Sequence, residues 1–292
     1  MTLTSLDLIA ARQAFDRAAP RYDEHAVLQH EVGQRLLERL EYVRGEPGRV
    51  LDIGCGTGVA SHSLQTRFPS AQVLGLDWSA GMLRRMESRR SEDGAPSPVC
   101  ADMQALPFAP RSIDVVFSNL ALQWSPDLEA AFADVRRIMK PGGMFLFTSF
   151  GPDTLHELRS AWAGVDDAPH VNVFADMHDI GDLLMAAGFV EPVMDMEVLT
   201  LEYRSVRALM RELKHIGAHN VAVSRARGLT GKGKLQRVLT AYEQFRRGGR
   251  YPATYEVVYG AAFGPAEGQP FRTPGGETAV FSVDALRGRG VR

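Results

Sequence analysis

Residues 50–58 read VLDIGCGTG, a short apolar run followed by three glycines in five residues. The run reads as a buried strand. Gly54, Gly56 and Gly58 read as a turn into a helix over 59–68. A loop this bare lets a ligand approach the backbone, and the helix after it presents unpaired N–H groups. Dinucleotide sites use the arrangement for pyrophosphate, with glycines spaced G-x-G-x-x-G. Here the sixth position is Val59, and Asp52 stands two residues ahead of the first glycine. A carboxylate at that point repels pyrophosphate and favours a ligand with positive charge.

S-adenosylmethionine is such a ligand, with a sulfonium, an ammonium and no phosphate. Working outward, "QVLGLD" (72–77) ends on Asp77, where a carboxylate can accept from both ribose hydroxyls. "SPVCAD" (97–102) ends on Asp102, placed to meet an adenine amino group. Helix caps and turns also use acids at strand ends, but three at successive strand ends converge on the edge where open α/β sheets bind ligands. "IDVVFSN" (113–119) and "GMFLFTSF" (143–150) complete the early strands, and helices are expected at 59–68, 79–90 and 128–139. Strand alternating with helix predicts an α/β fold with a parallel sheet covered on both faces.

Beyond Phe150 two more helical segments precede strands at 191–203 and 254–263. About fifty basic, mostly helical residues separate those strands, too long for a simple connection, so 204–252 reads as an insertion. The expected organisation is an N-terminal helical segment (1–47), a main domain (48–263) and a Gly/Pro-rich tail (264–292) with a strand at "TAVFSV" (278–283).

The chain has 292 residues, 45% of them apolar and 23% charged, as in soluble globular proteins. No window holds eighteen uninterrupted apolar residues, and the charge-studded N-terminus does not read as a secretory signal. Two cysteines, Cys55 and Cys100, leave no disulfide framework or cysteine-rich zinc site, so no metal is expected and a cytoplasmic setting fits. The net charge of −2 hides an asymmetry: residues 201–260 hold twelve Lys/Arg against four Asp/Glu, and the remainder 21 against 31. A solvated basic surface or an anionic partner would each produce it. In 203–220, Arg204, Arg207, Arg211 and Lys214 recur at helical spacing, with Val206, Leu209, Met210, Leu213 and Ile216 opposite.

"VLDIGCGTG", Asp77, "ADMQALPF" (101–108), "VVFSNLALQW" (115–124) and "MKPGG" (139–143) resemble the successive motifs of class I S-adenosylmethionine-dependent methyltransferases. The resemblance implies a Rossmann-like seven-stranded sheet whose last strand, at 254–263, is antiparallel. It further implies that Gly54, Cys55 and Gly56 flank the methionine portion of the cofactor. Asp77 and the adjacent Trp78 would meet the ribose side, Asp102 and Met103 the adenine, and Asn119 the cleft beneath the sulfonium.

Over most of residues 10–263 the chain also resembles the malonyl-[acyl-carrier-protein] O-methyltransferase (BioC) family of biotin synthesis. The segments that carry this include "FDRAAPRYDEHAVLQ" (15–29), "SFGPDTLHELRSAW" (149–162), "HVNVFADMHDIGDLLMAAGF" (170–189), "LMRELKHIGAHN" (209–220), "GLTGK" (228–232) and "YPATYEVVYGAAF" (251–263). The resemblance implies methylation of the free carboxylate of malonyl-acyl carrier protein, an acidic partner carrying a phosphopantetheine arm, with no role for nucleic acid or membrane. A carboxylate is already ionised at neutral pH, so such a site requires cations or hydrogen-bond donors and no general base. Tyr22, in a segment resembling the family's lid, is a candidate donor to that carboxylate, though a core aromatic would look the same. Arg204 is a candidate bidentate partner for it. Arg207, Arg211, Lys214 and Lys232 are candidate carrier contacts. His219 and Asn220 fall in a matched motif without an assigned chemistry. His25, His170 and His178 read as structural, and Phe15, Trp162, Phe174, Tyr251 and Tyr255 as core aromatics. A methyltransferase of nucleic acid or of small carboxylates remains compatible with these residues. So do the related mitochondrial respiratory-complex assembly factors, although the N-terminus lacks an Arg-rich amphipathic presequence.

Overall fold

The computed structural model describes residues 6–43, 45–89, 94–225, 228, 230–273 and 276–280. The chain opens with α1 (Leu8–Ala18), α2 (Tyr22–His25) and α3 (Val27–Glu38). Asp7 caps α1 by accepting from the Ala10 amide at 3.0 Å. Pro20, which has no N–H to give, falls in the tight turn between α1 and α2. There follow β1 (Arg49–Ile53), α4 (Val59–Arg67), β2 (Gln72–Asp77), α5 (Ala80–Glu87), β3 (Ser97–Cys100), β4 (Ile113–Ser118), α6 (Leu128–Ile138) and β5 (Met139–Phe150). The remainder is α7 (His156–Ala163), α8 (Met177–Ala186), β6 (Val190–Tyr203), α9 (Val206–His215), α10 (Lys232–Tyr242) and β7 (Tyr251–Phe263).

Seven strands form one sheet in the order β3-β2-β1-β4-β5-β7-β6. β1 runs parallel to β2 and β4, and β7 runs antiparallel to both β5 and β6, as expected of the last strand. Successive residues of β1 supply both faces of the sheet. Val50 belongs to the core layer that includes residues of α3, α4, α7 and α10, while Leu51 and Ile53 belong to the layer that includes residues of α6 and α8. That double burial is why the early strands read as continuous apolar runs and not as alternations.

Several boundaries differ from expectation, among them the start of the last strand, which lies at Tyr251 and not at 254. β5 begins at Met139, which pairs with Ile113, and a register shift absorbs the Pro-Gly-Gly stretch before the regular ladder resumes at Met144. β3 ends at Cys100, so Asp102 lies two residues beyond the strand. In the tail, β8 (Pro270–Thr273) and β9 (Gly276–Ala279) form a hairpin. The strand expected at 278–283 overlaps it at Thr278 and Ala279, and residues 281–283 lie outside the described region. The order of strands reverses between β1 and β4, and this switch point opens the crevice where the glycine loop sits.

Candidate active site

The loop after β1 is held by its own hydrogen bonds. Gly54 has φ +71°, and a Cβ there would stand 2.2 Å from the Ala121 Cβ, so only glycine fits. The amides of Gly54 and Cys55 donate to the Leu76 carbonyl at 2.7 and 3.0 Å. Gly56 donates to Asp77 Oδ2 at 3.0 Å, and Gly58 to the Cys55 carbonyl at 2.9 Å. These four N–H groups, the ones a phosphate-binding loop would aim at its ligand, are engaged within the protein.

Two carboxylates take the place of a phosphate cradle. Asp52 is 1% exposed and accepts from Ser61 Oγ on α4 at 2.6 Å. Burial pushes its pKa up to about 7 against the Ser61 hydrogen bond, and the negative charge of Asp77 adds to the rise. Asp77 accepts from the Gly56 and Ser79 amides, and burial pushes it up to about 6 despite those bonds. A carboxylate has about four acceptor sites, so Asp77 keeps capacity for ligand hydroxyls.

Asp77 lines a cavity of about 60 Å³ with Gly54, Gly56, Trp78, Met103 and Asn119. Asp52 lines an adjoining cavity of about 90 Å³ with Gly33, Gly56, Thr57 and Asn119. Neither cavity is lined by a Lys or Arg. Two buried acids with no Lys or Arg in either lining, and loop amides of Gly54, Cys55, Gly56 and Gly58 already engaged, suit a cationic ligand that carries hydroxyls. S-adenosylmethionine meets that description.

Most of the cofactor residues expected from the sequence meet here. Asn119 is fixed by donating to the Gln29 carbonyl and accepting from Thr148 Oγ1, both at 2.8 Å. A side chain on Gly33 would crowd it, its Cβ falling 2.9 Å from Asn119 Nδ2. Cys55 contributes backbone only. Its thiol is buried against Met86 Sδ at 3.7 Å, and burial pushes its pKa well up. Asp102 departs from expectation. It is exposed, accepts from the Gln104 amide at 2.9 Å as a turn residue, and lines a shallow outer hollow with Arg12 and Trp78. The early end of β3 is the reason: the chain has already turned outward before Asp102.

The N-terminal helices close over this crevice through contacts not foreseen from the sequence. Asp16 on α1 accepts from Ser79 Oγ at 2.7 Å and the Gly81 amide at 2.8 Å. Asp23 on α2 accepts from Thr57 Oγ1 at 2.6 Å and pairs with Arg89. Between them stands Tyr22, which lines both cofactor cavities and a third, larger one. Burial, with Asp77 and Asp23 nearby, pushes its phenol pKa well above the ordinary value, so it stays a protonated donor.

The third cavity, of about 210 Å³, is walled mainly by aromatic and aliphatic side chains. Phe15, Trp162, Phe174 and Tyr255, expected as core, also face this space. Tyr251 instead lies over α10, its ring edge-on to Tyr242, and donates to Glu243. Phe15, Tyr22, Leu120 and Trp124 line both this cavity and the Asp77 cavity, and Phe15 meets Trp124 edge to face at 5.1 Å. His170 stacks on Trp162 at 3.5 Å and bonds Asp166, while His219 and Asn220 line the wall. His25 packs on His215 at 4.3 Å, and His178 is exposed beside Asp176.

The structure does not bring Arg204 to this space. β6 runs to Tyr203, which turns inward, and Ser205 caps α9 by accepting from the Ala208 amide. Arg204, between them, is exposed and lines none of the three cavities. Arg207, Arg211 and Lys214 are exposed along α9, and Lys232 is exposed at the start of α10. The opposite face of α9 buries Val206 and Leu209 and gives Met210 and Leu213 to the large cavity.

A sequence model described as a methyltransferase domain matches residues 51–147. The malonyl-[acyl-carrier protein] O-methyltransferase of Gallionella capsiferriformans (strain ES-2) is 53% identical over 267 residues, covering 89% of this chain and 92% of that one. The protein of the same name from Halorhodospira halophila (strain DSM 244 / SL1) is 48% identical over 287 residues, covering 98% of this chain and 97% of its own. Among solved structures, the YcgJ protein of Bacillus subtilis superposes with a TM-score of 0.57 at 19% identity, covering 82% of this chain and all of that one. That likeness speaks to the fold alone.

Proposed function

The chain belongs to the malonyl-[acyl-carrier protein] O-methyltransferase family, and on that premise we propose how its cavities carry out the reaction. The enzyme converts the free carboxylate of malonyl-[acyl-carrier protein] to its methyl ester, in biotin synthesis, with S-adenosylmethionine as donor. When bound, S-adenosylmethionine supplies a methyl group activated by attachment to a sulfonium.

The carrying observation is the wall shared by the two chambers. Of Phe15, Tyr22, Leu120 and Trp124, Tyr22 alone is titratable, and it is held protonated. The junction therefore offers a hydrogen-bond donor and no base. That suits a nucleophile arriving ionised, for which alignment does most of the catalysis. In this reading Asp52 balances the positive charge of the cofactor and Asp77 accepts from its ribose. Trp78 and Met103 flank the adenine, and Asn119 shapes the floor beneath. Tyr22 donates to the malonyl carboxylate, the role in which the sequence had offered both Tyr22 and Arg204. The N-terminal segment acts as the lid that excludes water, and apolar walls around an ester suit a product that has lost its charge.

Arg207, Arg211 and Lys214 receive the acidic carrier on the outer face of α9, with Lys232 at the start of α10, and the inner face of α9 walls the chamber the carrier's arm enters. Nucleic acid has no part in this reading. Cys55 and Cys100, both free thiols, accord with the cytoplasm as the compartment.

Purified protein given labelled S-adenosylmethionine and malonyl-carrier should form a base-labile ester on the carrier. Label on tRNA or on free carboxylic acids, with none on malonyl-carrier, would overturn the assignment.

A further inference from the structure

The 210 Å³ cavity holds three buried side-chain atoms with no hydrogen-bond partner among the described residues: Gln123 Oε1, Asn172 Oδ1 and His219 Nδ1. All three residues line this cavity, and none lines either cofactor cavity. Buried polar atoms left without partners are uncommon, and a cluster of them in one chamber points to a ligand.

The role of Gln123 is fixed by its other end. Its Nε2 donates to the Leu120 carbonyl at 2.7 Å, which leaves Oε1 as the buried, unpartnered acceptor of a residue that lines the cavity. A malonyl thioester cannot satisfy it, because an ionised carboxylate and a thioester carbonyl only accept. Asn172, by rotating its amide, and His219, by choice of tautomer, can each donate or accept. Burial and the charges of Arg17, Arg225 and Lys214 hold the His219 pKa below its ordinary value, so the ring is neutral and one nitrogen carries a proton. One fixed acceptor beside groups able to donate is the complement of a secondary amide, which has one N–H and one C=O.

A pantetheine arm carries its nearest such amide two carbons from the sulfur. The cavity is smaller than the roughly 300–1,000 Å³ that holds a drug-sized ligand, so it suits the end of the arm and not its full length. Resting on the function proposed above, we infer that the chamber reads the arm's amide nearest the thioester. Gln123 Oε1 accepts from its N–H, and His219 or Asn172 donates to its carbonyl. Gln123 is thereby a specificity residue for a carrier-bound acyl group, acting away from the methylated carboxylate.

The test uses malonyl-carrier prepared with two arms: the natural one, and one whose amide nearest the sulfur is replaced by an ester, oxygen standing for N–H. Wild-type enzyme should show kcat/KM lower by about ten-fold or more on the ester arm, the loss that a buried unpaired acceptor produces. Gln123→Met should bring the ratio between the arms close to one. Equal rates on both arms with wild-type enzyme would overturn the inference, and needs no variant to fold. Retention of the wild-type ratio by Gln123→Met would remove Gln123 from the role. Absence of methyl transfer to the natural arm would overturn the function itself, and the inference with it.

Discussion

Tyr22 is the residue on which the proposed chemistry turns, because it alone among the described residues faces all three cavities. Hydrogen bonds to charged groups contribute about 1.5–3 kcal/mol. Tyr22→Phe should therefore lower kcat/KM for malonyl-carrier by about ten- to a hundred-fold, while the cofactor Kd moves far less. Steady-state kinetics beside calorimetric cofactor binding would check this, and equal losses in both would remove the donor role. Asp52 and Asp77 were legible because their spacing from Gly54 and from the second strand placed them in advance. Asp16 and Asp23 were not. Their partners Ser79 and Thr57 lie 63 and 34 residues away, and no local pattern announces a hydrogen bond across that separation.

Helix α9 is a single element with two duties, one for each face. Its inner face continues the core and walls the large cavity, while Arg207, Arg211 and Lys214 remain outside. Reversing charge with Arg207→Glu and Arg211→Glu should raise KM for the carrier about ten-fold at low ionic strength. The effect should shrink as salt is added, because exposed charges are screened within about 10 Å at 0.1 M. A salt-independent loss would point to damage in the helix and not to docking. The 3.6-residue rhythm made this helix readable before any fold was known. Arg204 was misplaced by the same logic, since it belongs to the turn and a turn residue does not inherit the helix's faces. Asp102 was misplaced for a related reason: where a strand ends depends on its neighbours' register, which periodicity does not report.

Across the whole molecule, in the proposed reading, folding and cofactor binding pull on the same two carboxylates. Asp52 and Asp77 titrate near 7 and 6 in the folded chain, against about 3.9 for an unperturbed aspartate. Their raised values favour the protonated folded state. The stability this contributes is complete below about pH 4 and is lost as pH rises through 6 and 7. A cationic ligand needs the ionised forms and restores what ionisation removes. The rise in Tm produced by saturating S-adenosylmethionine should therefore be larger at pH 8 than at pH 5.5. Asp52→Asn should flatten the upper part of that dependence. Differential scanning measurements decide the matter, and an increment independent of pH would count against a charged pairing. The sheet order was readable from alternating strands and helices. The three-chambered interior was not, because its walls are gathered from α1, α7, α9 and the loops around Leu120 and Asn172.

The helices bearing Asp16 and Asp23 roof the crevice of the glycine loop, and Tyr22 between them lines the large cavity as well. One set of helices thus covers both rooms, so that on the proposed function the ties of Asp16 and Asp23 shelter donor and acceptor together.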